Sequence, residues 1–345
     1  MTGTGNPETW AVGERDTVIA ALDRAVAAHP DRILLEFAGE LYTYSDVDRL
    51  STRLAHSFEA LGVRAGQTVV TMLGNNIDAV VCWLAINKLC AVSVPVNTAL
   101  RGEFLRHQIA DAGAALVICE ADFLPRIAAV SAELPEMKQV LYRNTLAEQV
   151  ECAALLAPLD AYRGDDDTPI LTKPDPADLA CLVYTSGTTG PSKGCMLSYN
   201  FMCNLARLQL RAGPATADDV TITPLPLFHM NALCVGIISN IMVGARVAIV
   251  ERFSVSNFWP EVERSGATIA SILGSMGGLL AQAADSDAMK RCIGQIHTVR
   301  GNPFTEPTKA IWRERFGARQ VGGNGYGLTE ACVVTSLAGG EYAAP

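Results

Sequence analysis

Apolar residues along this chain fall into two patterns with different structural meanings. Short continuous apolar runs, such as Thr68–Leu73 and Leu179–Tyr184, are typical of strands buried on both faces of a sheet. From Ser45 to Gly62 the apolar residues instead recur at every third or fourth position, which predicts an amphipathic helix. We expect Ser45 and Asp48 to form the capping box of this helix and Gly62 to end it.

Predicted strands and helices alternate along most of the chain. Because β-α-β order places successive strands side by side in the same direction, it requires a mainly parallel sheet covered on both faces, and the fold class is α/β. The further predicted strands are Val92–Val96, Ala115–Cys119, Val220–Thr223, Ala245–Val250 and Thr268–Leu273. The further predicted helices are Ala79–Leu89, Glu103–Asp111, Ser198–Arg211, Val255–Ser265 and Glu306–Phe316.

Length and composition predict a large core and two structural units. The chain has 345 residues, of which 49% are hydrophobic and 18% charged, a balance that argues against disorder. A Gly-, Asp- and Pro-rich stretch over residues 164–176 marks the boundary between a first α/β unit, residues 1–168, and a second, residues 169–345. The successive aspartates in this stretch are interpreted as a solvated loop, because they lack the spaced partners of a metal site.

Charge and cysteine usage narrow the classes of partner. The net charge of −9 argues against nucleic acid as a ligand. Ten cysteines are scattered without a C-x-x-C pair, which predicts reduced thiols and a cytoplasmic location. The N-terminus lacks a signal-peptide pattern, and the longest nearly apolar stretch, Ala232–Val243, is too short to span a bilayer. We therefore expect no transmembrane segment.

The segment that says most about function is the loop at residues 184–194, Tyr-Thr-Ser-Gly-Thr-Thr-Gly-Pro-Ser-Lys-Gly. Its glycines let backbone N–H groups approach a ligand closely, its hydroxyls add hydrogen-bond donors, and Lys193 adds a mobile positive charge. Such a loop is suited to bind a polyphosphate, although Ser192 and Gly194 around Lys193 exclude the P-loop pattern of kinases and GTPases. The residues predicted to bind phosphate are Thr185, Ser186, Gly187, Thr188, Thr189, Gly190 and Lys193.

This loop resembles the phosphate-binding signature of the AMP-forming adenylation superfamily, which includes acyl-CoA synthetases, peptide-synthetase adenylation domains and firefly luciferase. The family pattern is Thr-Ser-Gly-Thr-Thr-Gly-x-Pro-Lys-Gly, and residues 185–194 match it except that Ser192 stands where proline is usual. The resemblance implies two packed, doubly wound, mainly parallel sheets covered by helices, as in the large N-terminal domain of these enzymes. It also implies the use of ATP, Mg²⁺ and coenzyme A.

A second segment, Asn324–Glu330, resembles the family motif Tyr-Gly-x-Thr-Glu. By this resemblance Tyr326 packs on the adenine, Thr329 bonds the phosphate and Glu330 holds Mg²⁺. A carboxylate suits that role, because Mg²⁺ prefers hard oxygen ligands and usually binds one or two carboxylates together with substrate phosphates. Thr188 is predicted as a second metal ligand.

Weaker matches extend the resemblance over most of the chain. Residues 300–303 fall where the family often has Gly-Gly-Ala-Pro, a strand end that touches nucleotide and acid, although Arg300 and Asn302 depart from that pattern. The further residues implied to contact the nucleotide are Gly301, Asn302, Pro303, Asn324, Gly325 and Gly327.

The stretch Pro226–His229 resembles the aromatic–histidine step at the mouth of the family's acyl pocket, so His229 is predicted to line the path of the carboxylate. Amino-acid-activating relatives commonly place an aspartate near this step, whereas residues 229–231 contain none. An α-ammonium group would stay unpaired there, so we expect a small carboxylic or fatty acid without one. The predicted pocket residues are His229, Met230, Asn231, Cys234, Gly325 and Leu328. Asn231, Cys234 and Ile238 recur at helical spacing, and for these three a place in the core is equally open.

Together these features predict an AMP-forming acid–CoA ligase in which Lys193, Thr329, Glu330 and His229 carry the chemistry. Similarity of short segments, such as residues 226–231 and 251–254, favours the carnitine/crotonobetaine–CoA ligase type. Two alternatives stay open: an adenylating enzyme that loads a carrier protein or another nucleophile, and a non-catalytic nucleotide- or acid-binding protein. The identity of the acid and the formation of a homodimer are also open.

The chain ends at Pro345, shortly after Glu330. Family members continue through a ribose-binding aspartate, a hinge and a small C-terminal domain whose lysine contacts the carboxylate and phosphate. Removing one preorganised donor to developing charge costs roughly 10²–10³ in rate. We therefore expect this shortened chain to bind ATP or acyl-AMP weakly and to turn over poorly, if at all.

Overall fold

The computed structural model describes residues 15–185, 190–322 and 324–337, with side chains for all of them except 324–326 and 332–337. None of the helices in these ranges combines the length and apolar character that a bilayer span requires. The α-helices are α1 (Val18–Ala28), α2 (Tyr44–Ala60), α3 (Ile77–Lys88), α4 (Gly102–Ala112), α5 (Leu124–Ala128), α6 (Tyr199–Ala212), α7 (Ser239–Val243), α8 (Val255–Ser265), α9 (Gly274–Gln282), α10 (Asp287–Arg291) and α11 (Glu306–Glu314).

Strands occur throughout the same ranges, together with short 3₁₀ turns and a π-helical segment, Asn231–Ile238, that runs into α7. The strands are β1 (Ile33–Phe37), β2 (Glu40–Thr43), β3 (Thr68–Met72), β4 (Val92–Pro95), β5 (Leu116–Glu120), β6 (Gln139–Arg143), β7 (Leu155–Pro158), β8 (Leu179–Thr185), β9 (Lys193–Ser198), β10 (Val220–Thr223), β11 (Arg246–Ile249), β12 (Ile269–Ser271), β13 (Thr298–Arg300), β14 (Gln320–Val321), β15 (Asn324–Leu328) and β16 (Cys332–Leu337).

The strands form two seven-stranded sheets and a separate β15–β16 hairpin. Sheet A has the order β14-β13-β12-β10-β11-β1-β2, and sheet B has the order β7-β6-β5-β3-β4-β8-β9. The two orders are the same pattern: five consecutive parallel strands, of which the second lies on one side of the first and the later three on the other, completed by an antiparallel hairpin at one edge. This arrangement confirms the prediction of two doubly wound, mainly parallel sheets.

The hairpin that completes each sheet comes, along the chain, just before the five parallel strands of the other sheet. The β1–β2 hairpin precedes every strand of sheet B but joins sheet A through the pairing of β1 with β11, whereas the β8–β9 hairpin joins sheet B through the pairing of β8 with β4. Sheet membership therefore does not follow the division into residues 1–168 and 169–345. As a domain boundary, that division remains a prediction.

Three apolar clusters arrange the sheets and helices in layers. The first cluster lies between the sheets and includes residues of α1, α2, α3, α6 and the π-helical segment. The second covers the opposite face of sheet A with α8 to α11, and the third covers the opposite face of sheet B with α4 and α5. Adjacent strand residues belong to different clusters, as Val69 and Val70 show, because successive side chains in a strand point to opposite faces.

The start of α2 differs from the sequence prediction. The N-cap is Thr43, whose hydroxyl accepts from the Asp46 backbone N–H, while the Asp46 carboxylate accepts from the Thr43 N–H. The predicted box at Ser45 and Asp48 is therefore wrong by two residues. Asp48 instead accepts from Lys88 at 2.6 Å, an interaction across two helices that a local pattern does not reveal.

Candidate active site

The predicted phosphate loop connects two antiparallel strands at the edge of sheet B. β8 and β9 pair so that Thr185 lies directly opposite Lys193, which brings the two ends of the loop together. Thr185 is half-buried, whereas the Lys193 side chain is exposed. The central predicted residues of this loop, Ser186, Gly187, Thr188 and Thr189, lie outside the described part of the chain.

The second motif meets the phosphate loop directly. Thr329 and Glu330 form the turn between β15 and β16, and the Thr185 hydroxyl donates to Glu330 Oε1 at 2.9 Å. The negative charge of Glu330 also adds to the effect of burial in raising the pKa of the Cys195 thiol on β9. Two motifs separated by more than a hundred residues therefore place a hydroxyl, an exposed ammonium and an exposed carboxylate at one edge of the molecule.

The other residues of this second motif are described in part. The backbones of Asn324, Gly325 and Tyr326 form β15, but their side chains lie outside the described set. Leu328, a predicted pocket residue, is 47% exposed, and Gly327 is exposed as well. The assigned contacts of Tyr326 with adenine and of Leu328 with the acid remain predictions.

His229 lies on a turn between β10 and the π-helical segment. Its backbone N–H donates to the Pro226 carbonyl at 3.0 Å, and its carbonyl accepts from the Ala232 N–H at 3.1 Å. The ring lies against Phe228, with centroids 4.6 Å apart, and the residue is exposed to solvent on its other side. Desolvation lowers the pKa of His229 below its ordinary value, so the neutral imidazole is favoured at neutral pH.

Asn75 holds the segment that leads to His229, a role that sequence reasoning missed. Its Nδ2 donates to the carbonyls of Leu225 and Val250 at 2.9 and 3.0 Å, and its Oδ1 accepts from the Leu227 N–H at 2.9 Å. Asn75 follows strand β3 of sheet B, whereas its partners follow β10 and β11 of sheet A. The available signal was an asparagine directly after a buried strand, where parallel sheets commonly place functional side chains.

The stretch at residues 300–303 begins at the end of β13. Gly301 packs against the chain so closely that a Cβ there would lie 1.8 Å from the Ile272 carbonyl oxygen, so only glycine fits. Arg300 is buried and donates to the Gly213 carbonyl at the end of α6 at 2.8 Å, and burial lowers its pKa to about 10. The departure from the family pattern at Arg300 therefore serves packing against α6. Contacts of Gly301, Asn302 and Pro303 with a nucleotide remain predictions.

The predicted pocket residues after His229 have different environments. Asn231 is exposed and Met230 is half-buried, whereas Cys234 is fully buried within the cluster between the sheets. The structure thus favours the core interpretation of Cys234. The contacts of Met230 and Asn231 with a substrate remain predictions.

The donor set fits a metal that is held mainly by substrate. No group of three or more His, Cys, Asp or Glu side chains is placed to hold a metal ion anywhere in the described ranges. Glu330 is exposed beside Thr185 and near Lys193, and this arrangement suits Mg²⁺ bound through one carboxylate and phosphate oxygens.

A separate cleft of about 350 Å³ lies near the turn between β1 and β2. Its lining includes Ala38, Asp78, Arg143 and Arg163 and none of the predicted site residues. Asp78 accepts from both arginines, at 2.9 Å from Arg143 and 2.7 Å from Arg163. The carboxylate therefore neutralises part of their charge, and the cleft is a weaker candidate than the phosphate loop for binding a polyphosphate.

Comparison with known proteins agrees with the fold. The model of the AMP-binding enzyme family matches residues 22–344, and the chain belongs to this family. Similar solved structures include an anthranilate–CoA ligase in complex with anthranoyl-AMP (TM-score 0.81, 19% identity, covering 94% of this chain and 62% of that one). They also include the inhibitor-bound N-terminal domain of FACL13 from Mycobacterium tuberculosis (TM-score 0.79, 22% identity, 92% and 77%). At these identities the structural likeness shows the fold.

Curated relatives include several acid–CoA ligases. A crotonobetaine/carnitine–CoA ligase of Salmonella arizonae is 28% identical over 321 residues, which cover 90% of this chain and 60% of that protein. The 4-coumarate–CoA ligase 1 of Oryza sativa subsp. japonica is 31% identical over 330 residues, which cover 90% and 56%. The chain thus spans little more than half the length of these two relatives.

Proposed function

We propose that this chain provides the nucleotide- and acid-binding part of an AMP-forming carboxylic acid–CoA ligase. In this reaction a carboxylate oxygen attacks the α-phosphorus of ATP, giving acyl-AMP and pyrophosphate. The thiol of coenzyme A then attacks the acyl carbonyl and releases AMP. The observation that carries the proposal is the 2.9 Å contact between Thr185 and Glu330, which joins the two nucleotide motifs at one site.

The residues at this site act by positioning and by stabilising charge. Lys193 and the hydroxyl of Thr185 would hold the phosphates that depart as pyrophosphate, because an ammonium and a hydroxyl donate to phosphate oxygens. Glu330 would hold Mg²⁺, whose charge offsets that of the phosphates. Thr329 is assigned to the phosphate and Tyr326 to the adenine, by resemblance to the family motif.

His229 is assigned to the mouth of the acid pocket. Its lowered pKa favours a neutral ring, which can donate one hydrogen bond to a carboxylate. The absence of a carboxylate among residues 229–231 supports acids without an α-ammonium group. The similarity to the crotonobetaine/carnitine–CoA ligase supports that type of acid. A cytoplasmic location and a homodimer remain part of the proposal.

Pyrophosphate release by this chain, measured with ATP, Mg²⁺ and a panel of aliphatic and aromatic acids, tests the proposal. We expect saturable binding of Mg·ATP and slow, acid-dependent release of pyrophosphate. Parallel reactions with coenzyme A and with a pantetheinylated carrier protein identify the acceptor. Mg·ATP binding without pyrophosphate release from any acid would instead favour a nucleotide-binding protein. The absence of Mg·ATP binding would contradict the proposal.

A further inference from the structure

Two neighbouring residues of helix α4 bind the chain just before Lys193. His107 Nε2 donates to the backbone carbonyl of Ser192 at 2.8 Å, and Gln108 Nε2 donates to Ser192 Oγ at 3.1 Å. Gln108 is only 6% exposed, so its hydrogen bond is shielded from water. The backbone and the side chain of Ser192 are therefore both fixed to the same helix.

The same helix also binds the chain on the other side of the loop. The Tyr184 hydroxyl donates to Asp111 Oδ2 at 2.7 Å, and the Tyr184 ring meets the His107 ring edge-on, with centroids 6.4 Å apart. Gly194 lies opposite Tyr184 in the β8–β9 pairing. His107 and Asp111 can act together because residues four apart lie on the same face of a helix.

Helix α4 is itself anchored in the core. Leu105 and Ile109 are fully buried in the cluster on the outer face of sheet B, together with Ala112. A helix fixed in this way gives its side chains a defined position, and residues that hold a binding loop are most effective on such an element.

We propose that His107, Gln108 and Asp111, here called the α4 brace, are positioning residues that hold the two ends of the phosphate loop in place for nucleotide binding. The inference rests on the proposed function of that loop. The brace touches the two ends of the loop, at Tyr184 and Ser192, and no contact between it and a nucleotide is required. Its effect is to reduce the ordering that a nucleotide would otherwise have to impose, which lowers the entropic cost of binding.

The brace also explains how serine is accommodated at position 192. A proline there would restrict the backbone through its ring, whereas serine leaves φ free to vary. In this chain the hydrogen bonds from His107 and Gln108 supply the restraint instead. Ser192 is not among the described residues with positive φ, so its backbone is compatible with proline in this respect.

Titration of Mg·ATP into the full chain and its variants tests the brace. We expect His107→Ala and Gln108→Leu each to raise the Kd for Mg·ATP roughly three- to tenfold, because each substitution removes one hydrogen bond that holds Ser192 before the nucleotide binds. Arg106→Ala is the matched control, because Arg106 lies on the same helix but binds Glu103. Its Kd should stay within about twofold of the wild-type value.

A rescue experiment separates positioning from a general loss of stability. In Ser192→Pro/Gln108→Leu the proline ring replaces the lost restraint, so we expect the Kd to return to near the wild-type value. Hydrogen exchange of peptides covering residues 185–194 should be faster in Gln108→Leu than in the wild type, and unchanged in Arg106→Ala. A merely structural role would lower Tm without producing either pattern.

The outcomes distinguish this inference from the proposed function. Failure of the wild-type chain to bind Mg·ATP would overturn the proposed function and, with it, the role of the brace. Wild-type binding with unchanged Kd in His107→Ala and Gln108→Leu would overturn the brace alone. A double variant that binds no better than Gln108→Leu would likewise contradict it.

Discussion

Single residues connect parts of the chain that are far apart in sequence, and Asn75 shows this most completely. Three of the four hydrogen-bonding positions of its amide are used, both N–H groups on carbonyls and one oxygen lone pair on a backbone N–H. Each partner belongs to the segments that follow β10 or β11, so the amide ties sheet B to the turn that carries His229. Its loss would affect both stability and the site.

We expect Asn75→Ala to lower the free energy of unfolding by roughly 3 kcal/mol, because it leaves buried backbone groups without partners. Urea denaturation measures this change. Asn97→Ala is a suitable control, since the Asn97 side chain accepts from the exposed backbone N–H of Ala99 and its loss should cost less than about 1 kcal/mol. Equal changes in the free energy of unfolding for the two substitutions would show that the Asn75 hydrogen bonds stabilise the protein no more than the exposed Asn97 bond does.

The pKa of His229 gives a second prediction at this scale. Its midpoint, followed by NMR titration of the ring protons, should lie below 6.5 because desolvation disfavours the charged ring. The unfolded chain takes up this proton at higher pH than the folded chain, so His229 subtracts from stability as the pH falls below about 6.5. That part of the pH dependence should disappear in His229→Gln. A midpoint at or above 6.5 would rule out a desolvated ring.

At the scale of helices and strands, the N-terminal cap of α2 shows where a local sequence rule and the structure differ. The Ser45–Asp48 spacing and the Thr43–Asp46 spacing both satisfy the capping pattern, and the structure selects the second. We expect Thr43→Ala to destabilise the protein by about 1 kcal/mol and Ser45→Ala by much less. Thermal or urea unfolding of the two variants measures the difference. The reverse order would support the cap predicted from the sequence.

Much of the fold was predictable because local patterns determine it. The predicted strand Val220–Thr223 matches β10, and the predicted helix Val255–Ser265 matches α8, since each is a clear periodic segment between polar residues. The β1–β2 hairpin was missed: β2 is a short, largely exposed edge strand without a regular pattern of burial. The pairing of β1 with β11 bridges about two hundred positions, a contact that no local pattern encodes.

The site was predictable to the same extent. Lys193 and Glu330 belong to short motifs that can be recognised alone, and the structure brings the loop ends and Glu330 together. Asn75 and the α4 brace act through contacts with distant segments, so their residue types carry no signal until the partners are known. Cys234 shows the limit of helical spacing, which does not distinguish a pocket face from a core face.

On the scale of the whole molecule, the two sheets offer equivalent edges for a ligand. The β8–β9 hairpin of sheet B and the β1–β2 hairpin of sheet A occupy the same place in the two strand orders. The first carries Lys193, and the second borders the 350 Å³ cleft near Arg143 and Arg163. Since the chain has a net charge of −9, an anionic nucleotide must be attracted by a local arrangement rather than by the overall field. We assign it to the hairpin that carries Lys193.

A crystal structure of this chain with Mg·ATP, or with a non-hydrolysable analogue, tests that assignment most directly. We expect the triphosphate to lie between Lys193 and Glu330, with Mg²⁺ bound to the Glu330 carboxylate and the phosphate oxygens. A nucleotide bound instead in the cleft beside Arg143 and Arg163, or elsewhere away from the β8–β9 hairpin, would contradict it.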